Sequence, residues 1–414
     1  MPRALMTSTS SPSGSGSTPR RCSQDERADG QTLTASKQAP PPSACTLRAS
    51  FDAAAQYTVG IEDEVMLLEP ETLELAPRAA EVLALVDGDR RFKLELPASQ
   101  LEIVTPPMAS VPDAADALLA ARRELADRTR GFVRLAAAGV HPASSGIGEL
   151  NKLPQYERTI REFGAIAKRQ LVCALQVHVA VPGADRALAV YNAARSYLPW
   201  LAALAANAAF YEGRDSGLAS VRPKLSELLP RQGVPPAIDT WEAYAAALAW
   251  GAQSGAFPGA RTWWWELRPH PRFATLEFRV PDAQAAVADA SAIAALIQAL
   301  VVWLAERHDS GERLPVAATS RIEENRWSAC RYGVEGMMAD LESGTLRPTR
   351  DCLTELIDAL QPIGARLRAG PALSHAQAMV ELNGPIAQRA AASDGGAPAV
   401  VRWLAERFSQ PCPG

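Results

Sequence analysis

Four short segments of the chain alternate apolar and polar residues, and their polar positions carry acids, bases or amides. The segments span residues 60–65, 175–179, 263–268 and 276–280. Successive side chains on a β-strand point to opposite faces, so the polar residues of each segment share one face. The pairs that share a face are Glu62 with Glu64, Gln176 with His178, Glu266 with Arg268, and Glu277 with Arg279.

These segments predict a sheet with one apolar face and one chemically active face. If the four strands pair, the second face carries carboxylates, a histidine and arginines side by side. Carboxylates gathered in one place need a cation to reduce their mutual repulsion. The pattern is therefore typical of an enzyme that combines a divalent metal with phosphate chemistry.

The chain that carries these segments has the length and composition of an ordinary globular protein. It has 414 residues, 47% of them hydrophobic, and a formal net charge of −4. This charge provides no basic field that would argue for binding to nucleic acid or to an anionic membrane. The most apolar stretch, 285–304, contains Asp289, Ser291 and Gln298, which favours a buried core helix over a membrane span.

The six cysteines indicate a reducing environment. They lie far apart along the chain, with no Cys-x-x-Cys pair and no Cys/His ligand spacing. This spacing argues against a disulfide scaffold and against a structural zinc site. We therefore expect a cytoplasmic protein.

The chain divides into a short first segment and one long domain. Residues 1–50 are rich in Ser, Pro and Gly and predict disorder, because they cannot bury enough apolar surface to offset their ordering entropy. Residues 51–410 have the patterns of a single catalytic domain. Besides the four segments, they predict strands at 58–68, 92–96 and 100–105. They predict helices at 78–86, 113–138, 156–168, 185–196, 200–211, 240–251, 284–308, 324–331, 351–367, 374–380 and 398–408.

The order of these elements indicates the fold class. Strands come in clusters, and helices are bunched rather than alternating one for one with strands. This arrangement favours an α+β fold with an antiparallel sheet, helices packed on one face and the polar face left open.

The acidic candidates each have a structural alternative. Glu62 and Glu64 lie on an otherwise apolar strand, where unpaired carboxylates are costly, so metal ligation is favoured over a solvated edge. Glu277 with Arg279 fits an ion pair within the sheet as well as it fits catalysis. Glu102, also on an apolar strand, suits either a metal ligand or a salt bridge.

The remaining candidates are a histidine and two polar segments. His178 alone would be read as a core histidine, but its alignment with Gln176 favours contact with metal or phosphate. The loop at 213–222, with Arg214 and Arg222, suits recognition of carboxylate or phosphate, or is a plain surface loop. Residues 325–332 likewise suit either recognition of carboxylate or phosphate or an ordinary surface position. The chain has no P-loop, Rossmann or nucleophile-elbow motif.

Six segments, taken in order, resemble the carboxylate–amine ligase family, also called glutamate–cysteine ligase type 2. The most specific is Trp-x-x-Arg-Pro-x-Pro-x-Phe-x-Thr-x-Glu-x-Arg-Val at 265–280. The others are Gly-Ile-Glu-Asp-Glu at 60–64, the segment from Glu95 that ends in Glu-x-x-Thr at 102–105, Gln-Val-His-Val at 176–179, Gly-Arg-Asp-Ser-Gly at 213–217 within the loop to Arg222, and Asn-Arg-Trp-x-Ala-x-Arg-Tyr-Gly at 325–333.

The resemblance implies a fold similar to the glutamine synthetase catalytic domain, a curved antiparallel sheet with ATP and Mg²⁺ on its concave face. By this likeness the metal ligands are Glu62, Glu64, Glu102, His178 and Glu277. The implied catalytic residues are Glu277, Arg279 and Arg214. Substrate or nucleotide would contact His178, Gln176, Arg222, Arg268, Asn325 and Arg331. A homo-oligomer is also a family-level expectation.

Two positions depart from the family pattern. Many members have His where Gln176 stands, so one contact with metal or phosphate would be weakened or lost here. An amide oxygen is nevertheless also compatible with Mg²⁺. Ala174 stands where Gly is common.

The implied activity is ATP-dependent ligation of a glutamate side-chain carboxylate to an amine, cysteine in the family's name, through an acyl phosphate. The alternatives are the same chemistry with a different acid or amine, and a relative that binds nucleotide or metabolite without turnover.

Overall fold

The computed structural model describes residues 40–257 and 259–410, and the described residues from 41 onward form one compact unit. Of the segment predicted to be disordered, residues 1–39 lie outside the described residues. The part that is described contains a helix at Ala44–Asp52, whose Leu47 and Phe51 are fully buried. The ordered domain therefore begins before residue 51.

The strands of the described chain fall into one large sheet and two short hairpins. They are β1 Val59–Leu68, β2 Phe92–Leu94, β3 Gln100–Val104, β4 Arg134–Ala136, β5 Leu175–Ala180, β6 Phe210–Tyr211, β7 Arg214–Asp215, β8 Leu267–His270, β9 Thr275–Phe278, β10 Met337–Ala339 and β11 Leu346–Pro348.

The helices surround the large sheet. They are α1 Ala44–Asp52, α2 Ala79–Leu85, α3 Val111–Arg128, α4 Pro154–Phe163, α5 Ala184–Ala194, α6 Leu198–Leu204, α7 Arg222–Ser226, α8 Trp241–Gln253, α9 Val287–Asp309, α10 Thr319–Tyr332, α11 Thr349–Arg366, α12 Gly370–Glu381, α13 Gly384–Ala392 and α14 Gly396–Arg407. Short 3₁₀ helices lie at Gly164–Arg169, Arg195–Tyr197, Ala260–Thr262 and Gly333–Glu335.

The large sheet is antiparallel throughout. Its strand order is β2-β3-β1-β5-β9-β8, and β4 pairs with β1 off this path. The central strand β1 connects the two halves, because it pairs with β3 on one side and β5 on the other. All four alternating segments of the sequence contribute to this sheet.

One face of the sheet packs against helices. Its fully buried residues include Ile61, Val177 and Phe278, and α3 and α9 cover this layer. Helix α9 is long and apolar enough to cross a membrane, yet 83% of its most apolar window is buried within the protein. It is therefore the central core helix that the sequence predicts.

A buried ion pair holds the apolar face together. Asp63 points opposite to its acidic neighbours, and Arg122 of α3 donates from Nε to its carboxylate at 2.8 Å, with both side chains fully buried. Arg122 also donates to the backbone carbonyls of Gln284, Ala285 and Phe408. This cluster connects the sheet to the C-terminal helix.

Two helices are shorter than their patterns predict, and the first of them ends near a glycine with positive φ. The helix expected at 113–138 ends at Arg128, and Gly131 with φ +78° turns the chain into β4. The helix expected at 200–211 ends at Leu204, and residues 210–215 form a hairpin through Gly213 with φ +80°.

The tryptophan segment is a strand only at its end. The strand expected at 263–268 begins at Leu267. Trp263 is instead buried against the rings of Tyr244 and Phe257, with centroid distances of 5.4 and 5.7 Å. Aromatic packing against α8 thus replaces strand alternation before β8.

Candidate active site

The register of the sheet aligns polar side chains from neighbouring strands. His178 of β5 lies opposite Glu277 of β9, and Glu277 lies opposite Arg268 of β8. On the other side of β5, Glu62 of β1 lies opposite Gln176. Directly opposed residues share a face and lie within side-chain reach, so these side chains form two neighbouring rows, Arg268–Glu277–His178 and Glu62–Gln176, on the face of the sheet away from α3 and α9.

Three glutamates form a second cluster further along the same face. Glu64 of β1 lies opposite Glu102 of β3, and Glu95 follows β2. One carboxylate oxygen from each lies within 4.8 Å of the others. Glu95 is missing from the metal ligands that the sequence predicts. Its signal was its place just before the Pro97 bend, on the segment that returns to Glu102.

The electrostatics of this acidic triad, Glu64, Glu95 and Glu102, fit a divalent cation. Burial and the charge of Glu64 raise the pKa of Glu95 to about 8. Burial, together with Glu62 and Glu95, raises the pKa of Glu102 well above its usual value, and burial also raises that of Glu64. Lys93 is the nearby cation, with Nζ at 3.1 Å from Glu102. Buried carboxylate oxygens of this kind are hard ligands that suit Mg²⁺.

Glu277 is held by two arginines. Arg268 donates from Nε to Oε2 at 2.6 Å and from Nη2 to Oε1 at 2.9 Å, and Arg279 donates from Nη1 to Oε1 at 2.6 Å. Burial acts against the charged carboxylate, but the charges of Arg268, His178 and Arg279 outweigh it and hold the pKa of Glu277 well below its usual value. Its two oxygens are thus both occupied, so the contacts favour a positioning role, and metal ligation stays a prediction.

His178 has one ring nitrogen available. Its Nδ1 lies 2.9 Å from Thr275 Oγ1, whereas Nε2 is buried without a hydrogen-bond partner among the described residues. Nε2 is 3.6 Å from Glu62 Oε1, an ion-pair distance. Burial would raise the pKa of Glu62, but the interaction with His178 outweighs it and lowers the pKa to about 2. Nε2 therefore has an ion-pair contact with Glu62 but no hydrogen bond among the described residues, so it can still form one with a ligand.

Gln176 connects the acidic triad to the arginine cluster. Its Nε2 donates to Glu64 Oε1 at 2.8 Å, and its Oε1 accepts from Arg279 Nη1. The other oxygen of Glu64 accepts from the backbone N–H of Ala174 at 2.7 Å. Because residue 174 contributes its backbone, the Ala found there keeps this contact.

The predicted residues outside the sheet lie in structural contacts or at the surface. Arg222 donates to Asp282 at 2.7 Å and to the carbonyls of residues 279–281. Asn325 makes two hydrogen bonds with the backbone of Ala339, and Arg331 donates to the carbonyl of Gly217. Arg214 is exposed on β7. The structure therefore brings the sheet residues together and leaves Arg214, Asn325 and Arg331 outside that cluster, whereas Arg222 lines a cavity together with Glu64 and Arg279.

A small cavity opens beside Arg279. Its volume is about 80 Å³, and its walls include Glu64, Ser226, Trp264 and Glu266. Glu266 is bound by Arg326 through hydrogen bonds of 2.6 to 2.9 Å. The cavity thus adjoins both the acidic triad and the arginine cluster.

Solved structures share the architecture. A Francisella tularensis glutamate–cysteine ligase in complex with AMP superposes with a TM-score of 0.65 at 12% identity, covering 87% of this chain and 90% of that one. A bifunctional glutathione synthetase from Pasteurella multocida gives 0.61 at 14% identity, covering 88% of this chain and 53% of that one. These likenesses confirm the predicted α+β fold with an antiparallel sheet.

Sequence relatives extend over nearly the whole domain. A Rubrobacter xylanophilus protein, provisionally named glutamate–cysteine ligase 2-3, is 37% identical over 368 residues, which is 86% of this chain and 98% of that protein. A Frankia casuarinae protein, provisionally named glutamate–cysteine ligase 2-1, is 33% identical over 334 residues, 78% of this chain and 87% of that protein. The family model for glutamate–cysteine ligase family 2 matches residues 58–395. The chain belongs to glutamate–cysteine ligase family 2.

Proposed function

We propose that the protein is an ATP-dependent ligase that joins the side-chain carboxylate of glutamate to the amino group of cysteine. The observation that carries the proposal is the juxtaposition on one face of the sheet of the acidic triad and the Arg268–Glu277–Arg279 cluster. One set suits a cation and the other suits an anion. A reaction between a nucleotide phosphate and a carboxylate needs both.

In the proposed reaction, a carboxylate oxygen of glutamate attacks the terminal phosphorus of ATP, and the bond to ADP breaks. The resulting acyl phosphate is attacked by the amine, which forms the amide and releases inorganic phosphate and a proton. No side chain needs to act as a nucleophile. Catalysis then depends on positioning and on neutralising charge around the transferred phosphoryl group.

The residues of the sheet have distinct proposed roles. Glu64, Glu95 and Glu102 would hold Mg²⁺, which when bound offsets the charge of the nucleotide phosphates. Arg279 faces the anionic groups, and Glu277 fixes its direction together with Gln176. His178 Nε2, which lies 3.6 Å from Glu62 and is buried without a hydrogen bond among the described residues, would donate to or accept from the bound substrates.

The remaining predicted contacts belong to the same proposal. Arg268 supports Glu277 from the opposite side, while Arg222, Asn325 and Arg331 stabilise the loops that border the face. Arg214 would reach substrate only from its exposed place on β7. A cytoplasmic location fits the free cysteines of the described chain, Cys45, Cys173, Cys330 and Cys352.

One assay tests the activity. The purified protein is incubated with Mg-ATP, glutamate and cysteine, and ADP is followed together with the dipeptide by mass spectrometry. The proposal expects one dipeptide, joined through the glutamate side chain, for each ADP. A panel of other acids and amines runs in parallel, since product only with another pair would overturn the named substrates. Nucleotide binding without ADP formation would overturn catalysis itself.

A further inference from the structure

A second cavity shares no wall residue with the cavity beside Arg279. Its volume is about 210 Å³, and none of its wall residues belongs to the acidic triad or to the Arg268–Glu277–Arg279 cluster. The walls come from the turn after β1, from the residue that precedes β3 and from the loop that precedes α4. The proposed ligase reaction uses none of these residues.

A buried histidine fixes two of the walls relative to each other. His141 Nδ1 accepts hydrogen bonds from the N–H groups of Ala143 and Ser144 at 3.1 and 2.8 Å, so the ring proton is on Nε2, which donates to the carbonyl of Leu73 at 2.9 Å. Burial lowers the pKa of His141, which favours this neutral form. The imidazole thus joins the turn that carries Glu74 to the loop that carries Ser144.

The third wall is attached to the same loop. The N–H of Ala98 donates to the carbonyl of Glu149 at 2.9 Å, and Asn151 Nδ2 donates to the carbonyl of Pro97 at 3.2 Å. Ser99 and Glu149 are therefore held on neighbouring segments of backbone. A ligand that enters this cavity meets preformed walls, which reduces the entropy lost on binding.

Two buried hydroxyl groups of this cavity have no partner. Ser99 and Ser144 line the cavity and are only 4% and 8% exposed, and neither Oγ has a hydrogen-bond partner among the described residues. By contrast, the neighbouring Ser145 donates its hydroxyl to the carbonyl of Ile147 at 3.1 Å. A buried hydroxyl without a hydrogen bond is costly, so a ligand that supplies a polar group to Ser99 and Ser144 is stabilised there.

The charge at this cavity is negative. Glu74 and Glu149 are exposed wall residues, and neither carboxylate has a salt bridge or a hydrogen bond among the described residues. The described wall residues include no cation. Carboxylate and hydroxyl oxygens both accept hydrogen bonds, and an ammonium group only donates them, so the wall chemistry suits an ammonium ion.

The size and the apolar walls favour an organic cation over a metal ion. A volume of about 210 Å³ holds roughly 14 to 21 waters, on the basis of about 10 to 15 Å³ for each. A metal ion bound to two carboxylates would leave most of this space to solvent. Leu75, Pro77 and Ile147 supply apolar surface, and Ile147 is 52% exposed, so the carbon chain of a ligand would remove apolar area from water.

We propose that this cavity is a second ligand site, which binds a small organic ammonium compound. The ammonium group donates to the hydroxyls of Ser99 and Ser144, the carboxylates of Glu74 and Glu149 balance its charge, and the carbon chain packs against Ile147. The ligand is not a substrate of the proposed ligation. The assignment therefore holds or fails independently of the ligase activity.

Three probes of similar size and different charge test the chemistry of the site. The probes 1-aminobutane, 1-butanol and butyrate are titrated separately into the wild-type protein at low ionic strength, without ATP or amino acids, and binding is followed by NMR. We expect saturable binding of 1-aminobutane, at least tenfold weaker binding of 1-butanol and no binding of butyrate. Equal affinities for the amine and the alcohol, or no saturable binding of the amine, would contradict the proposal.

Variants test where the amine binds. Glu74→Gln and Glu149→Gln should each weaken the binding of 1-aminobutane about threefold, and together about tenfold. Ser144→Ala should weaken it by a similar factor, because the hydroxyl is lost without added bulk. Glu71→Gln, exposed on the same turn as Glu74, is the matched control. Glu95→Gln should also leave the affinity unchanged, and a loss of binding there, with none in Glu149→Gln, would assign the amine to the acidic triad and refute the second site.

A product assay separates a second ligand from a substrate. The wild-type protein and Glu149→Gln are incubated with Mg-ATP, glutamate and 1-aminobutane, and the N-butyl amide of glutamate is sought by mass spectrometry. We expect no amide that depends on Glu149. An amide formed by the wild-type protein and lost in Glu149→Gln would make this cavity a substrate site and overturn the inference. Absence of any ligase activity, with saturable amine binding retained, would overturn the proposed function and leave the second site standing.

Discussion

Arg268 donates hydrogen bonds to both carboxylate oxygens of Glu277, at 2.6 and 2.9 Å, from the directly opposed position on the neighbouring strand. This contact leaves Glu277 fully buried as an anion and lets its Oε1 also accept from Arg279. Glu277 thus orients Arg279, which lines the cavity beside the acidic triad. The structure shows the ion pair within the sheet that the sequence offers as one alternative, and a catalytic role for Glu277 stays a prediction.

Removing the charge of Glu277 should reduce turnover more than it reduces folding. In Glu277→Gln the amide cannot accept charge-assisted hydrogen bonds from both arginines, so we expect kcat to fall about a hundredfold. The free energy of unfolding should fall by about 2 kcal/mol, which leaves the protein folded. Steady-state kinetics and urea unfolding measure the two effects. Glu342→Gln, an exposed position, is the control, and wild-type turnover in Glu277→Gln would show that Glu277 is only structural.

Glu95 should be required for the response to magnesium. In Glu95→Gln the triad loses one anionic ligand, so we expect the Mg²⁺ concentration for half-maximal activity to rise about tenfold or more. Activity is titrated with Mg²⁺ at saturating ATP. The exposed change Glu71→Gln should leave the titration unaltered, and an unaltered curve in Glu95→Gln would remove this residue from the metal site.

The acidic triad should make stability depend on pH when no divalent metal is present. Burial raises the pKa of Glu95 from an ordinary 4.5 to about 8, so the folded state binds this proton more tightly than the unfolded state. The resulting stabilisation is complete below pH 4.5 and is lost as the pH rises towards 8. We expect Tm in EDTA to fall over this range, and Mg²⁺ or Glu95→Gln to reduce the fall. A Tm that rises across the range in EDTA would contradict the repulsion inferred for the triad.

Gln176 should be replaceable only by a residue that both donates and accepts. It donates to Glu64 at 2.8 Å and accepts from Arg279, so Gln176→His can keep one contact of each kind. Gln176→Leu loses both contacts, and Gln176→Glu adds a carboxylate beside Glu64. We expect kcat/KM to decrease in the order Gln, His, Leu and Glu, measured with ATP and both amino acids. Full activity in Gln176→Glu would show that the bridge is dispensable.

The Asp63–Arg122 pair should contribute to folding rather than to chemistry. Arg122→Met leaves Asp63 as a buried carboxylate without its partner, which should lower the free energy of unfolding by about 3 to 5 kcal/mol. The double variant Asp63→Leu with Arg122→Met should recover part of this loss. Urea unfolding measures both, with the exposed Arg123→Met on the same helix as control. Additive losses in the double variant would contradict direct pairing.

The sheet was predictable because alternation is a local pattern. The polar positions of segments 60–65, 175–179 and 276–280 share one face in the structure, as alternation predicts, whereas the register that sets His178 opposite Glu277 depends on how the strands assemble. The helix covering the apolar face was also predictable, because α9 is apolar around its whole circumference. Strand alternation and the apolar composition of α9 therefore predicted both layers, the sheet with its polar face and the helix behind it.

The remaining features depend on contacts between distant segments. Glu95 lies after a three-residue strand, and its proximity to Glu64 arises only when β2, β3 and β1 assemble. The burial of Trp263 reflects aromatic packing that overrides the strand pattern, and α3 ends early where Gly131 turns the chain. Arg222 and Asn325 have residue types that suit ligands, but neighbouring backbone carbonyls occupy them.

The most direct test of the proposed ligase activity is the stoichiometry of the coupled reaction. The protein is supplied with Mg-ATP, glutamate and cysteine, and ADP, phosphate and dipeptide are quantified in the same samples. We predict equal amounts of the three, all of them lost when Mg²⁺ is removed. ADP without dipeptide, or dipeptide at the same rate without Mg²⁺, would contradict a ligase built on the acidic triad and the Arg268–Glu277–Arg279 cluster.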